Sequence, residues 1–119
     1  MGNQILFVDD DAEWRAMVTA GLKEAGYQVR AVADASEALL QASDGGFSLI
    51  ILDLDLAGEN GLMLMNYLKC NYPTVPIVLY TGMEHEPEVV EQMRLLGARQ
   101  YLRKGEISEL AETVKKILD

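Results

Sequence analysis

The chain has 119 residues, 50% of them hydrophobic and 24% charged, which fits one globular core and argues against disorder. Nineteen Asp and Glu against ten Lys and Arg leave a formal charge of −9, the wrong sign for holding phosphate backbones, so no direct nucleic acid binding is expected. A single cysteine, Cys70, and a single histidine, His85, exclude an intramolecular disulfide and any thiolate or imidazole cluster, so a metal here must be a hard cation held by oxygen.

The chain starts with Met1, Gly2, Asn3 and Gln4, then an apolar run Ile5–Val8 stopped by Asp9, Asp10 and Asp11. There is no basic leader and no long apolar stretch, so neither a signal peptide nor a membrane span is expected and the cytoplasm is the default. Gly2 does not make a myristoylation site, because Leu6 stands where that motif wants Ser or Thr. A first helix follows, with Trp14, Met17, Val18 and Leu22 on one stripe and Gly26 as its stop. Tyr27–Val32 reads as the second strand. Asp34 with Glu37 resembles a capping box opening a short helix through Leu39 and Ala42. Ser48–Leu52 is the third strand, and Leu64, Met65 and Leu68 mark a third helix that ends before Pro73.

Pro76–Tyr80 is the fourth strand. Pro87 suits the first turn of a fourth helix, with Val89, Val90, Met93 and Leu96 inside and Gly97 at its end. Arg99–Leu102 is the fifth strand, and Ile107, Leu110, Val114, Ile117 and Leu118 give the fifth helix. Three of the five strands lack polar alternation, as strands covered on both faces do. Alternating strands and helices imply an α/β fold: a parallel sheet with right-handed crossovers and helices on both faces. Without a repeat, a low-complexity tract or a linker, residues 1–119 are expected to form a single domain with no effector domain in this chain.

The polar residues gather at the carboxyl ends of the strands. Asp9 and Asp10 follow the first, Asp53 and Asp55 the third, Thr81 the fourth, and Arg103 and Lys104 the fifth. In an open α/β sheet that end, where strand order reverses, is the ligand crevice. Asp9, Asp10 and Asp53 crowded together repel one another, and Mg²⁺ or Mn²⁺ removes the conflict. A carboxylate in that setting can attack phosphorus and form an aspartyl phosphate. Lys104 would supply a point charge to one phosphoryl oxygen and the Thr81 hydroxyl a hydrogen bond to another, while Gly82 leaves room for the group. Each piece alone has a plainer reading: the aspartate triplet as capping, Asp53 as a turn residue, Thr81 as a cap, Lys104 as a solvated side chain. Their conjunction at four strand ends favours the phosphoryl site.

At this point the sequence resembles the receiver domains of two-component response regulators, over essentially its whole length. ILFVDDD resembles the first strand with its acidic pair, Asp9 and Asp10. LIILDLDLAGENGL resembles the phosphoacceptor strand and loop, with Asp53 as acceptor and Gly61 as the loop glycine. PIVLYTG resembles the fourth strand with its switch threonine, Thr81, and ARQYLRKG the fifth, with Tyr101 at the aromatic switch position and Lys104 as the family lysine. The separations, 43 from Asp10 to Asp53, 28 on to Thr81 and 23 on to Lys104, fit the family. The resemblance implies a flavodoxin-like doubly wound five-stranded sheet in the order 2-1-3-4-5, with five helices on both faces. It implies Mg²⁺-dependent phosphotransfer to Asp53 from a sensor histidine kinase or a histidine phosphotransfer protein, and no enzyme activity beyond the domain's own phosphorylation and dephosphorylation. Thr81 and Tyr101 would then switch the face of the fourth helix, fifth strand and fifth helix, which meets a downstream effector or makes a homodimer. Asp55 and Met83, two residues beyond the acceptor and the threonine, flank the approach of hydrolytic water and would modulate the lifetime of the phosphoryl group.

Two positions depart from the family pattern. Gly105 follows Lys104 where Pro is usual; a cis bond to Gly would cost ~3 kcal/mol, so a trans bond and a more mobile loop are expected. Ala57 stands where the acceptor loop often has Pro. One rival is an enzyme: Asp53-Leu54-Asp55 after an apolar strand resembles the nucleophile motif of haloacid-dehalogenase-type phosphatases, with Asp55 as general acid. The order of motifs along the chain and the short length count against it. The other rival is a receiver-like docking module that is never phosphorylated. Asp55 is expected to turn to solvent or to Lys104, and His85 reads as an exposed residue entering the fourth helix. Trp14 reads as partly core, Cys70 as inert, and Tyr67 and Tyr72 as packing or surface residues.

Overall fold

A computed structural model of the chain describes residues 3–56, 58 and 60–119; the myristoylation reading at Gly2 and the departure at Ala57 lie outside them. Five strands, β1 (Gln4–Val8), β2 (Gln28–Val32), β3 (Leu49–Leu52), β4 (Ile77–Thr81) and β5 (Ala98–Arg103), alternate with five helices. These are α1 (Ala12–Glu24), α2 (Ala35–Ser43), α3 (Gly61–Asn71), α4 (Pro87–Leu95) and α5 (Ile107–Leu118). The strands pair in parallel in the order β2-β1-β3-β4-β5, the doubly wound, flavodoxin-like arrangement expected. Strand order reverses between β1 and β3, which opens the crevice at their carboxyl ends.

The three central strands are continuous apolar runs because both faces are covered. Alternate side chains point to opposite faces. Leu6, Val8, Ile50, Leu52 and Leu79 meet Ala38, Leu64, Met65, Leu68 and Met93 from α2, α3 and α4. Ile5, Phe7, Leu49, Ile51, Val78 and Tyr80 meet Val18, Leu22, Leu110 and Val114 from α1 and α5. The edge strands β2 and β5 are buried only in part, which matches their Arg and Gln residues.

Local chemistry sets the helix ends. The Asp11 carboxylate caps α1 by accepting from the backbone of Glu13 and Trp14, Asp34 caps α2 through the Glu37 N–H, and Asn60 caps α3 through Leu62 and Met63. Gly26 and Gly97, just past α1 and α4, have φ of 102° and 116°, values that favour glycine. Two positions read as interior are at the surface: Met17 is 44% exposed and Leu96, which caps α4, 40% exposed. The stripes are narrower than the spacing implies, because Val18, Leu22 and Met93 already fill the space beneath these helices. Strand β4 runs one residue further than expected, so Thr81 is its last member. Between β4 and β5 the register slips after Ile77, a bulge that leaves Leu79 opposite Tyr101 and Thr81 opposite Arg103.

Candidate functional site

The aspartate triplet divides its work. The Asp9 backbone N–H still donates to the Val32 carbonyl at 3.0 Å, so its side chain is carried inside the sheet end and is fully buried. Its Oδ1 accepts from the Asp11 backbone at 2.9 Å, and the Arg15 guanidinium ties down its carbonyl at 2.8 Å. Asp10 is exposed, and Asp11 is spent on the α1 cap. Asp53 likewise extends the ladder, its N–H donating to the Val8 carbonyl at 2.9 Å, and is 3% exposed. Its Oδ1 accepts from the Asp55 backbone at 3.0 Å.

Lys104 joins the two buried carboxylates. Its N–H donates to the Thr81 carbonyl at 2.8 Å, which anchors the residue past the end of β5. Its Nζ stands 2.7 Å from Asp9 Oδ2 and 3.0 Å from Asp53 Oδ2, and 5.2 Å from the centre of the Trp14 ring. Trp14 in turn meets Tyr80 edge-on at 5.8 Å. The described peptide bonds, Lys104–Gly105 included, are trans. The Gly105 N–H donates to the Tyr80 hydroxyl at 3.2 Å.

Burial raises the Asp9 carboxyl above its ordinary range, outweighing the Lys104 ammonium and the Asp11 backbone N–H that pull it down. Burial pulls the Lys104 ammonium down, but the two carboxylates outweigh it and hold the group above its usual value. Carboxylate oxygens of Asp9, Asp10 and Asp53 lie within 4.8 Å of one another. Asp9 Oδ2 is buried with no hydrogen bond of good geometry, only the ammonium beside it. An oxygen-only donor set with one underused buried carboxylate oxygen and more negative charge than one lysine balances fits a small divalent cation.

Thr81 is fully buried at the end of β4, but its hydroxyl does not face Asp53: it donates to Asp55 Oδ2. Asp55 therefore turns neither to solvent nor to Lys104, contrary to expectation. Lys104 already has two carboxylates, whereas the Thr81 hydroxyl has a proton to give. The other oxygen of Asp55 faces His85 Nε2 at 3.7 Å, and His85 Nδ1 lies 2.9 Å from the Tyr101 hydroxyl. His85 is thus not the exposed residue the sequence indicates: its side chain is 20% exposed, set edge-on to Tyr101 in the loop before α4. The Tyr101 hydroxyl donates to the Met83 carbonyl at 3.1 Å, while the Met83 side chain itself is exposed. An open groove of about 580 Å³, lined in part by Asp55, His85, Val89 and Met93, runs between the Asp53 loop and α4.

With this geometry in view, comparison with known proteins is direct. The family described as the response regulator receiver domain matches residues 5–115. The chain is 31% identical over 115 residues to the transcriptional regulatory protein YkoG of Bacillus subtilis, covering 96% of this chain and 50% of YkoG. Chemotaxis protein CheY4 of Vibrio cholerae superposes with a TM-score of 0.92 at 30% identity, over 99% of this chain and 100% of that one. The response regulator TrrA of Thermotoga maritima, solved in complex with Mg²⁺ and BeF, gives a TM-score of 0.87 at 30% identity, over 98% and 99% of the two chains. The chain belongs to the response regulator receiver domain family. It is a signalling module of two-component systems, which sets aside the phosphatase reading of Asp53 and Asp55. It spans half or less of the length of the curated relatives it matches first. No helix among the described residues is long and apolar enough to cross a membrane.

Proposed function

We propose that Asp53 is the phosphoacceptor of this receiver domain. A carboxylate oxygen of Asp53 attacks the phosphorus of a phosphohistidine on a sensor kinase or phosphotransfer protein. The new O–P bond forms as the P–N bond breaks, and the imidazole leaves with the bonding pair. The observation that carries this reading is the Lys104 ammonium poised at 3.0 Å from Asp53 Oδ2, where it can meet the charge of an added phosphoryl group. Thr81 supplies a second donor once its hydroxyl leaves Asp55. Asp9, Asp10 and Asp53 would hold Mg²⁺ or Mn²⁺, whose charge offsets that of the phosphoryl oxygens.

Phosphorylation then shifts a pre-existing equilibrium, because the phosphoryl group makes contacts in one state that it cannot make in the other. Thr81 and Tyr101 carry that difference to the α4–β5–α5 face, where a downstream effector or a second copy binds. Residues 1–119 act as one receiver domain in the cytoplasm, with no chemistry beyond their own phosphorylation and dephosphorylation.

Acetyl phosphate with Mg²⁺ tests this directly, with the modification read by intact mass. The wild type should be labelled and Asp53→Asn should not. Asp10→Ala, or EDTA, should suppress labelling while the circular dichroism spectrum stays native. Undiminished labelling of Asp53→Asn would overturn the assignment.

A further inference from the structure

Beside the carboxylate centre a second polar chain starts at Thr81 and leads away from Asp53: Thr81 to Asp55, Asp55 to His85, His85 to Tyr101, Tyr101 to the Met83 carbonyl. Its protons can be counted. Burial holds the Tyr101 phenol above its usual value, so it keeps its one proton. If that proton goes to the Met83 carbonyl, His85 Nδ1 must donate to the phenol oxygen. A neutral ring would then turn the lone pair of Nε2 toward the Asp55 carboxylate, acceptor against acceptor. An imidazolium satisfies both sides. With a neutral ring carrying its proton on Nε2, Tyr101 must instead donate to Nδ1 and leave the Met83 carbonyl. The proton on His85 therefore decides where the Tyr101 hydroxyl points and how firmly Asp55 is held.

We propose that His85 is a proton-sensitive positioning residue: protonated, it clamps Asp55 between itself and Thr81, keeping the Thr81 hydroxyl away from Asp53 and the Tyr101 hydroxyl on Met83. The inference rests on the reading of Asp53 as phosphoacceptor. The groups facing His85 are few. Asp55 from the Asp53 loop favours the charged ring, as do Glu84 and Glu86, which flank it in sequence. The N-terminal end of α4, which starts at Pro87, opposes it, and Arg103 on β5 opposes it less because Glu84 stands 3.8 Å away. Glu88 lies in the first turn of α4. The clamp loosens as the imidazolium gives up its proton.

The chain has one histidine, so an imidazole titration followed by NMR belongs to His85 without ambiguity. Thr81 and Tyr101 resonances of the unphosphorylated protein should shift with the same midpoint as the ring. Both should be flat in His85→Gln, which keeps a hydrogen-bonding side chain but no titration. In Asp55→Asn, Tyr101 should still follow His85 while Thr81 should not. The rate of labelling by acetyl phosphate, taken as wild type over His85→Gln so that donor chemistry cancels, should be near unity well above the ring midpoint measured by NMR. It should fall roughly threefold to fivefold well below that midpoint, the scale of a partly exposed ion pair. Thr81 resonances indifferent to the His85 titration, or a labelling ratio flat across the range, would overturn the proposal. Should neither protein be labelled at any pH, the phosphoacceptor reading fails, and the resonances of Thr81 and Tyr101 alone decide the role of His85.

Discussion

Two polar clusters sit at the same end of the sheet and are built in opposite ways. Asp9, Asp53 and Lys104 follow directly from three strands, are nearly sealed from water, and hold one another by charge at 2.7 and 3.0 Å. Thr81 and Tyr101 stand on β4 and β5, but Asp55 and His85, which link them, lie in loops with side chains 29% and 20% exposed. The first cluster is held at the sheet end by buried charge. The second is joined by hydrogen bonds that can be exchanged for others. A phosphoryl switch needs both: a rigid place where charge arrives, and a neighbouring set of contacts with two alternative arrangements.

The sharpest way to break the rigid half is Lys104→Met, which leaves two buried carboxylates facing each other. We expect a loss of about 3 kcal/mol near neutral pH, the scale of removing one partner from a buried ion pair, measured by urea denaturation. The pH dependence has a definite sign. The Lys104 value is raised above 10.5, so its stabilisation is complete below that pH and is lost as pH climbs through the higher folded value. Asp9 is raised above 3.8, so its ionisation in the fold is a cost that grows as pH rises through the folded value. The penalty of Lys104→Met should therefore shrink as pH falls and Asp9 takes up a proton. A pH-independent penalty would show that lost packing against Trp14, not charge, dominates.

Gly61→Ala probes the seam between the clusters. A Cβ at Gly61 would lie 2.4 Å from the Leu54 carbonyl oxygen and 2.7 Å from its Cα, backbone atoms between Asp53 and Asp55 that cannot swing aside. Pushing α3 off this loop should cost about 2 kcal/mol, within the usual range for overpacking. NMR shifts should change more at Thr81 and Tyr101 than at Lys104, because the loop can give at Asp55 while Asp53 stays on the ladder. Equal disturbance at both would mean that the clusters are one mechanical unit.

The same contrast explains what could be read from the sequence. Asp53 was legible because it directly follows an apolar strand run, and Lys104 because it stands at the carboxyl end of the fifth strand; the topology then brings the strand ends together. The division of labour among Asp9, Asp10 and Asp11 was not, since three adjacent carboxylates look alike until the chain turns into α1. His85 was missed because its partners are remote: Tyr101 is 16 residues away and the loop of Asp55 further still, while the flanking Glu84 and Glu86 read as a solvated stretch. Asp55 was misdirected toward Lys104 because charge alone ignores saturation. The ammonium was already held by two carboxylates, and the nearest unspent donor was the Thr81 hydroxyl.

The smallest expected effect concerns the lifetime of the phosphorylated state and separates the clusters by rate, not by stability. Met83 is bound at its backbone from both sides: its carbonyl accepts from Tyr101 at 3.1 Å, and its N–H reaches the Thr81 hydroxyl oxygen at 3.5 Å. Its side chain is 59% exposed and apolar, so it offers water no hydrogen bond. Asp55 has a carboxylate that could orient water, but His85 holds one of its oxygens even after Thr81 has left. Met83→Asn should therefore speed hydrolysis of the aspartyl phosphate about threefold, the kinetic equivalent of one modest hydrogen bond to the attacking water. Asp55→Ala should change the half-life by less, while altering how much protein is phosphorylated at equilibrium, because it releases Thr81. Phosphoryl half-lives measured after removal of the donor distinguish the two. A larger change for Asp55→Ala than for Met83→Asn would place control of hydrolysis in the exchangeable cluster itself, and Met83 would be a bystander whose backbone alone matters.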